Sequence, residues 1–309
     1  MVSMRMSIVM VIVASACTDP VAMSDEDDGN DDVMLQCSSP SPCPAPSSPS
    51  KQTICGQLYD FENDATLGGS VGTACTSTTS SGPCSLSIEA YDALAFASNP
   101  ASATPLQHGG VAIDTCGRYR ITDIDVTGTS SFIGVVIDDV ANPGPAGTTV
   151  PVAIATPRAA GTATDQLEAW IVRESTTAQW ATSGGPTLAD GVFVPVFRAH
   201  MLGTPGTDPR ELQLGVTVTK HGNPAQAYYF AADTMERVTV DTAAEATGAN
   251  GTVLVPDAVI DDLIVYSGTG GLSDPASCRW RLHAGASIPG VVFIQIFRPI
   301  EVIGETCAL

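Results

Sequence analysis

The sequence predicts an all-β protein, with two β-sandwich modules following a signal peptide and a disordered tether. Three observations carry this reading. From residue 53 onward, short Val/Ile/Leu/Tyr/Phe segments alternate with Gly, Pro, Asn, Asp and Ser turns, the rhythm of a strand-and-turn chain. Helical periodicity is confined to STTAQWA at residues 175–181, expected as a short helix. Finally, 44% of the 309 residues are hydrophobic and only 15% are charged. Such a chain can bury enough apolar surface to offset its ordering entropy, which excludes disorder throughout.

Residues 1–16 read MVSMRMSIVMVIVASA. Arg5 provides a basic start, residues 6–13 a short apolar run, and Ala14-Ser15-Ala16 the small residues that signal peptidases cut after. The run is too short to span about 30 Å of hydrocarbon. Cys17 follows directly. Residues 17–52 form the expected tether. SDEDDGNDD is acidic and CSSPSPCPAPSSPSK is Ser/Pro-rich, so charge repulsion and polyproline stiffness extend it and no core can form. As an EF-hand loop the acidic block fails, because Leu35 stands where the closing Glu belongs.

The first sandwich is expected over residues 53–140, with strands in TICGQLYDF, LSIEAYDALAF, GVAID, GRYRITDIDV and SFIGVVIDD. Residues 141–164 lose the rhythm and read as a linker. The second sandwich is expected over residues 165–309, with strands in LEAWIVRES, GVFVPVFRAH, LQLGVTVTK, AYYFAAD, RVTVD, GTVLV, AVIDDLIVYS and GVVFIQIFRPIEVI.

Nine cysteines are present. With Cys17 set aside, eight remain, and in an exported chain they read as disulfides. The expected local pairs are Cys37–Cys43, Cys75–Cys84 and Cys278–Cys307. Neither Cys-x-x-Cys nor Cys/His metal spacing occurs. With 13 Lys+Arg against 33 Asp+Glu, the formal charge is −20, which excludes electrostatic binding of nucleic acid.

Two resemblances follow from particular residues. Ala14-Ser15-Ala16-Cys17 resembles the lipobox of bacterial lipoproteins, although Ala14 replaces the usual Leu. The resemblance implies lipidation at Cys17, a membrane partner through that lipid, and, since Thr18 and not Asp follows, an outer-membrane protein facing the periplasm or the cell surface. The opening Ile54-Cys55-Gly56-Gln57-Leu58 and the run Asp114-Thr115-Cys116-Gly117-Arg118-Tyr119-Arg120-Ile121 resemble carboxypeptidase regulatory-like modules, small transthyretin-like sandwiches. Physically, Gly117 permits a positive φ and Tyr119 and Ile121 share one strand face. Residues 247–255 echo the same turn, with Thr252 in the aromatic's place. Modules of this kind accompany a zinc peptidase, whose His-x-x-Glu none of His108, His200, His221 and His283 supplies.

Catalytic signatures are otherwise wanting. Gly285-Ala286-Ser287-Ile288-Pro289 has Pro289 where a nucleophile elbow closes on Gly. Clustered carboxylates suggest calcium, with Asp123, Asp125, Asp138 and Asp139 as candidate ligands and Asp261-Asp262 as a similar pair. The competing reading is turn-capping aspartates. Trp170, Trp180 and Trp280 are either a sugar-stacking platform or core. No cofactor is expected beyond that calcium. The leading expectation is a non-enzymatic, lipid-anchored envelope protein in a structural, adhesive or ligand-display role, with a protein or glycan ligand. The alternatives are a carbohydrate- or calcium-binding module and a hydrolase of unrecognised type.

Overall fold

The computed structural model describes residues 42–67, 75–76, 86–107, 111–114, 116–139, 149–199, 211–256, 258, 265–272 and 278–301. Among them the first strands are β1 (Lys51–Asp60), β2 (Cys75–Thr76), β3 (Leu86–Asp92), β4 (Ala112–Ile113), β5 (Arg118–Asp125), β6 (Phe132–Asp139) and β7 (Thr149–Val150). Next come β8 (Val152–Pro157), β9 (Ala163–Arg173), β10 (Val192–Ala199), β11 (Glu211–Leu212), β12 (Val216–Lys220), β13 (Asn223–Pro224) and β14 (Tyr228–Phe230). The last are β15 (Val240–Asp241), β16 (Val253–Pro256), β17 (Val265–Gly270), β18 (Cys278–Trp280), β19 (His283–Ala284), β20 (Val292–Phe297) and β21 (Pro299–Glu301). Among the described residues two α-helices interrupt them, α1 (Ala93–Ser98) and α2 (Glu174–Thr182). The chain is all-β, and α2 lies where the helical residues were expected.

Two large sheets face each other. One runs β2-β4-β5-β1-β9-β7, the other β15-β14-β16-β10-β20-β8-β6-β3, with β11 beside β10. A four-stranded sheet, β13-β12-β17-β19, completes the layers, beside a small β18-β21 pair. The second large sheet is central, and strand alternation shows it. Val192, Val194 and Val196 of β10 enter the core shared with the first sheet, while Phe193 and Phe197 enter a second core with β12 and β17. Val292 and Ile294 of β20 face the first core and Phe297 the second. A strand buried on both faces reads as a continuous apolar run, as GVVFIQIF does.

The residues expected as two modules share both large sheets. β1 pairs in parallel with β9, and β8 joins β20 to β6, so each large sheet holds strands from both 53–140 and 165–309. The expected linker 141–164 contains β7 and β8, and β8 lies between β20 and β6 inside the central sheet. Its alternation is inconspicuous because one face carries Val152 and Ile154 while the other carries small Ala153 and Ala155 instead of polar residues.

Several local readings are realised. Gly117 takes φ +72°, Asp114 Oδ1 accepts from the amides of Cys116 and Arg118, and Tyr119 and Ile121 are buried. One strand was read too long. LSIEAYDALAF leaves the sheet at Asp92, whose carboxylate accepts from the Ala95 amide and caps α1.

The disulfide Cys43–Cys55 joins the approach to β1 with β1 itself. It replaces the expected Cys37–Cys43 pair: residue 55 lies in a fixed strand next to which the incoming chain returns. Cys116 and Cys278 are also disulfide-bonded. Cys17, Cys37, Cys84 and Cys307 lie outside the described residues, and only the backbone of Cys75 is described.

Candidate functional site

The first and third layers leave part of the central sheet's outer face to other segments. At one end α1 covers it, with Tyr91, Phe96, Val136 and Ala153 forming a small core with Ile288 and Val291. Farther along, β19 and the segment after it cover it. Between these covers lies an apolar groove of about 170 Å³. Its floor is Gly134 of β6 with Ala153 and Ala155 of β8. Gly134 pairs with Ala155, and Phe293 with Ala153, across adjacent strands, so side chains too small to fill the gap sit side by side. Phe96 and Phe293 stand on its walls.

Three of the five large apolar side chains exposed among the described residues rim this groove: Leu94 at 43%, Phe132 at 43% and Leu282 at 66%. Solitary exposed leucines need no explanation, but these three converge on one concavity as a single exposed apolar patch. His283 and Gln295 are the polar side chains in its lining. Burial, then the nearby charge of Arg281, holds the His283 imidazole down to about 4, so it is neutral at physiological pH. Its ring meets Phe297 edge-on at 4.7 Å. The groove is therefore uncharged in a chain of net −20.

A cluster of charged side chains is buried inside the fold. Asp64 accepts from Arg237 through both carboxylate oxygens, at 2.8 and 2.7 Å, from Trp170 Nε1 at 2.8 Å and from Arg198 Nη2 at 3.1 Å. Arg198 also pairs with Glu168 at 3.0 Å. Arg237 donates further to Phe61 O and Thr252 Oγ1, so Thr252 is buried as an acceptor. Burial pushes the Asp64 carboxyl up, but the hydrogen bonds and charge of Arg237 and the charge of Arg198 outweigh it and hold it at about 2. Two buried cations against two buried anions leave the cluster neutral, the condition under which buried charge is tolerated. It joins the turn after β1 to β9, β10 and the loop before β15. No ligand can enter it, and its role is structural.

Among the described residues, the expected calcium ligands Asp123, Asp125 and Asp138 do not converge as a metal site. Asp123 sits in a bulge at φ +56°, where its carboxylate accepts from the Ser47 amide at 2.7 Å. That hydrogen bond holds the Asp123 carboxyl below its usual value. Asp125 likewise accepts from Thr127. Asp138 stands in the other large sheet, near the end of β6 remote from the turn that follows Asp125. The side chain of Asp139, and both Asp261 and Asp262, lie outside the described residues. Among the described residues no three His, Cys, Asp or Glu side chains converge as a metal site. The bulge is what sequence reading missed, since it breaks the two-residue alternation.

Trp170, Trp180 and Trp280 are at 0%, 0% and 1% exposure, so none offers a face to a sugar. Ser287 Oγ accepts from the Ala258 amide, a loop-bracing contact. His221 is exposed in a turn at φ +50°, while His108 and His200 lie outside the described residues. No described helix is long and apolar enough to cross a membrane. The groove carried no sequence signal, because its residues come from α1, β6, β8, β20 and the 282–288 segment.

No protein-family model matches the chain, and no curated protein matches it. Among solved structures, a shaft pilin from Lactobacillus rhamnosus GG aligns at 12% identity and TM-score 0.22, covering 82% of this chain and 99% of that one. A minor pilin from Streptococcus agalactiae aligns at 10% identity and TM-score 0.21, covering 84% and 99%. The Bacillus anthracis TIE protein aligns at 9% identity and TM-score 0.20, covering 82% of this chain and 34% of that one. Likeness at this level carries no argument about function.

Proposed function

We propose that the chain is an exported, non-enzymatic envelope protein, joined to the outer membrane by lipid on Cys17, that holds a rigid β-body away from the bilayer in a structural, adhesive or ligand-display role. The observation that supports this most is the Cys43–Cys55 disulfide, with Cys116 and Cys278 also oxidised. Disulfides persist in exported compartments and are rare in reducing ones. The bond ties the end of the Ser/Pro-rich tether to the first strand, where pull from an anchor would enter the body. The groove is the surface such a body would present.

The test is fractionation of cells expressing the wild-type chain and Cys17→Ser. The wild type is expected in the membrane fraction and the variant in the soluble exported fraction, with the body's disulfides intact. A Cys17→Ser protein that stays on the membrane contradicts the lipid anchor.

A further inference from the structure

We infer that the groove between α1 and the 282–288 segment is a binding site for a small, uncharged, single-ring aromatic molecule. This goes beyond the envelope reading and does not rest on the anchor.

Size sets the first limit. A cavity of about 150 Å³ lined by aliphatic and aromatic side chains stays dry and takes a benzene-sized guest, and this groove offers about 170 Å³. A partner protein would need a buried surface on the order of 1,000 Å², far more than one such concavity and its rim of Leu94, Phe132 and Leu282 present. A free small molecule is therefore the occupant that fits.

Chemistry sets the second limit. The floor is Gly134, Ala153 and Ala155, which leave a gap without supplying a polar contact. Phe96, Phe132 and Phe293 line the sides, and aromatic rings favour a ring guest in edge-to-face or offset contact. No Asp, Glu, Lys or Arg lines the groove, so a charged guest would lose its hydration without gaining a partner. Electrostatics thus favour the neutral molecule over its acid or amine analogue.

The experiment uses the full chain, with toluene, benzoate and benzylamine as probes and methyl NMR shifts of Leu94, Ala155 and Leu282 as the readout. Toluene is expected to shift these methyls saturably, with a dissociation constant of about 1 mM or tighter. Benzoate and benzylamine should bind at least about tenfold more weakly. Ala155→Leu, which fills the floor, should raise the toluene dissociation constant about tenfold or more. Should that variant fail to fold, Leu282→Ser on the exposed rim is expected to weaken binding about threefold with an unchanged melt. Saturable shifts confined to other methyls, charged probes binding as well as toluene, or no toluene binding would each overturn the proposal.

Discussion

Asp64 accepts both terminal guanidinium nitrogens of Arg237 across 173 residues of sequence, at a place where Arg237 is 1% exposed. This bidentate pair ties the turn after β1 to the loop that precedes β15, and so joins the two large sheets. Removing one partner leaves the buried cluster with one charge uncompensated. Arg237→Met is therefore expected to destabilise the body by about 3–5 kcal/mol, read as a fall in the urea midpoint. The double variant Asp64→Asn with Arg237→Met should cost clearly less than the sum of the two single changes.

Acid should act on this body in two windows. His283 is held at about 4 in the fold, below its ordinary value near 6.5. As pH falls from about 6.5 the unfolded chain takes the proton first, so stability declines down to about pH 4 and no further from this group. Asp64 is held at about 2, so its contribution, on the order of 2 kcal/mol, is present above its unfolded value near 4 and is lost as pH falls toward 2. Melts of His283→Gln should flatten the upper window alone, and melts of Asp64→Asn the lower one.

The Cys43–Cys55 bond closes a loop of sequence separation 12. The double substitution Cys43→Ser with Cys55→Ala is expected to lower stability by about 3 kcal/mol without moving β1. Non-reducing peptide mapping should recover a 43–55 crosslink and no 37–43 crosslink.

A Cβ at Gly56 would meet the Leu167 carbonyl and lie 2.6 Å from the Tyr119 ring, where β1 runs beside β9 and Tyr119 donates to Leu167 O at 3.1 Å. Gly56→Ala is expected to cost about 3 kcal/mol or more, since neither backbone nor a fully buried ring can give way. A melt within a degree of wild type would show that β1 and β9 are not paired here.

What could be read in advance was local. The turn at Gly117, the inward face of Tyr119 and Ile121, the helix near Trp180 and most of the longer strands follow from spacing and turn residues. What could not be read depends on distant partners or on a break in the period. The parallel pairing of β1 with β9 makes one body of two apparent modules, and no local pattern encodes it. Asp92 ended a strand by capping a helix, and Ala153 and Ala155 hid a central strand by being small. The bulge at Asp123 broke the two-residue alternation of β5, so Ile121 and Ile124 both face inward. The groove is a gap between two coverings of one sheet, so its residues become a site only once the sheet is assembled.

The most direct test of the envelope reading is the mass of the N-terminal peptide of the mature protein, extracted from membranes and digested. The reading requires that peptide to begin at Cys17 and to carry acyl chains, with residues 1–16 removed. An unmodified Cys17, or a mature chain that still contains residues 1–16, would contradict it.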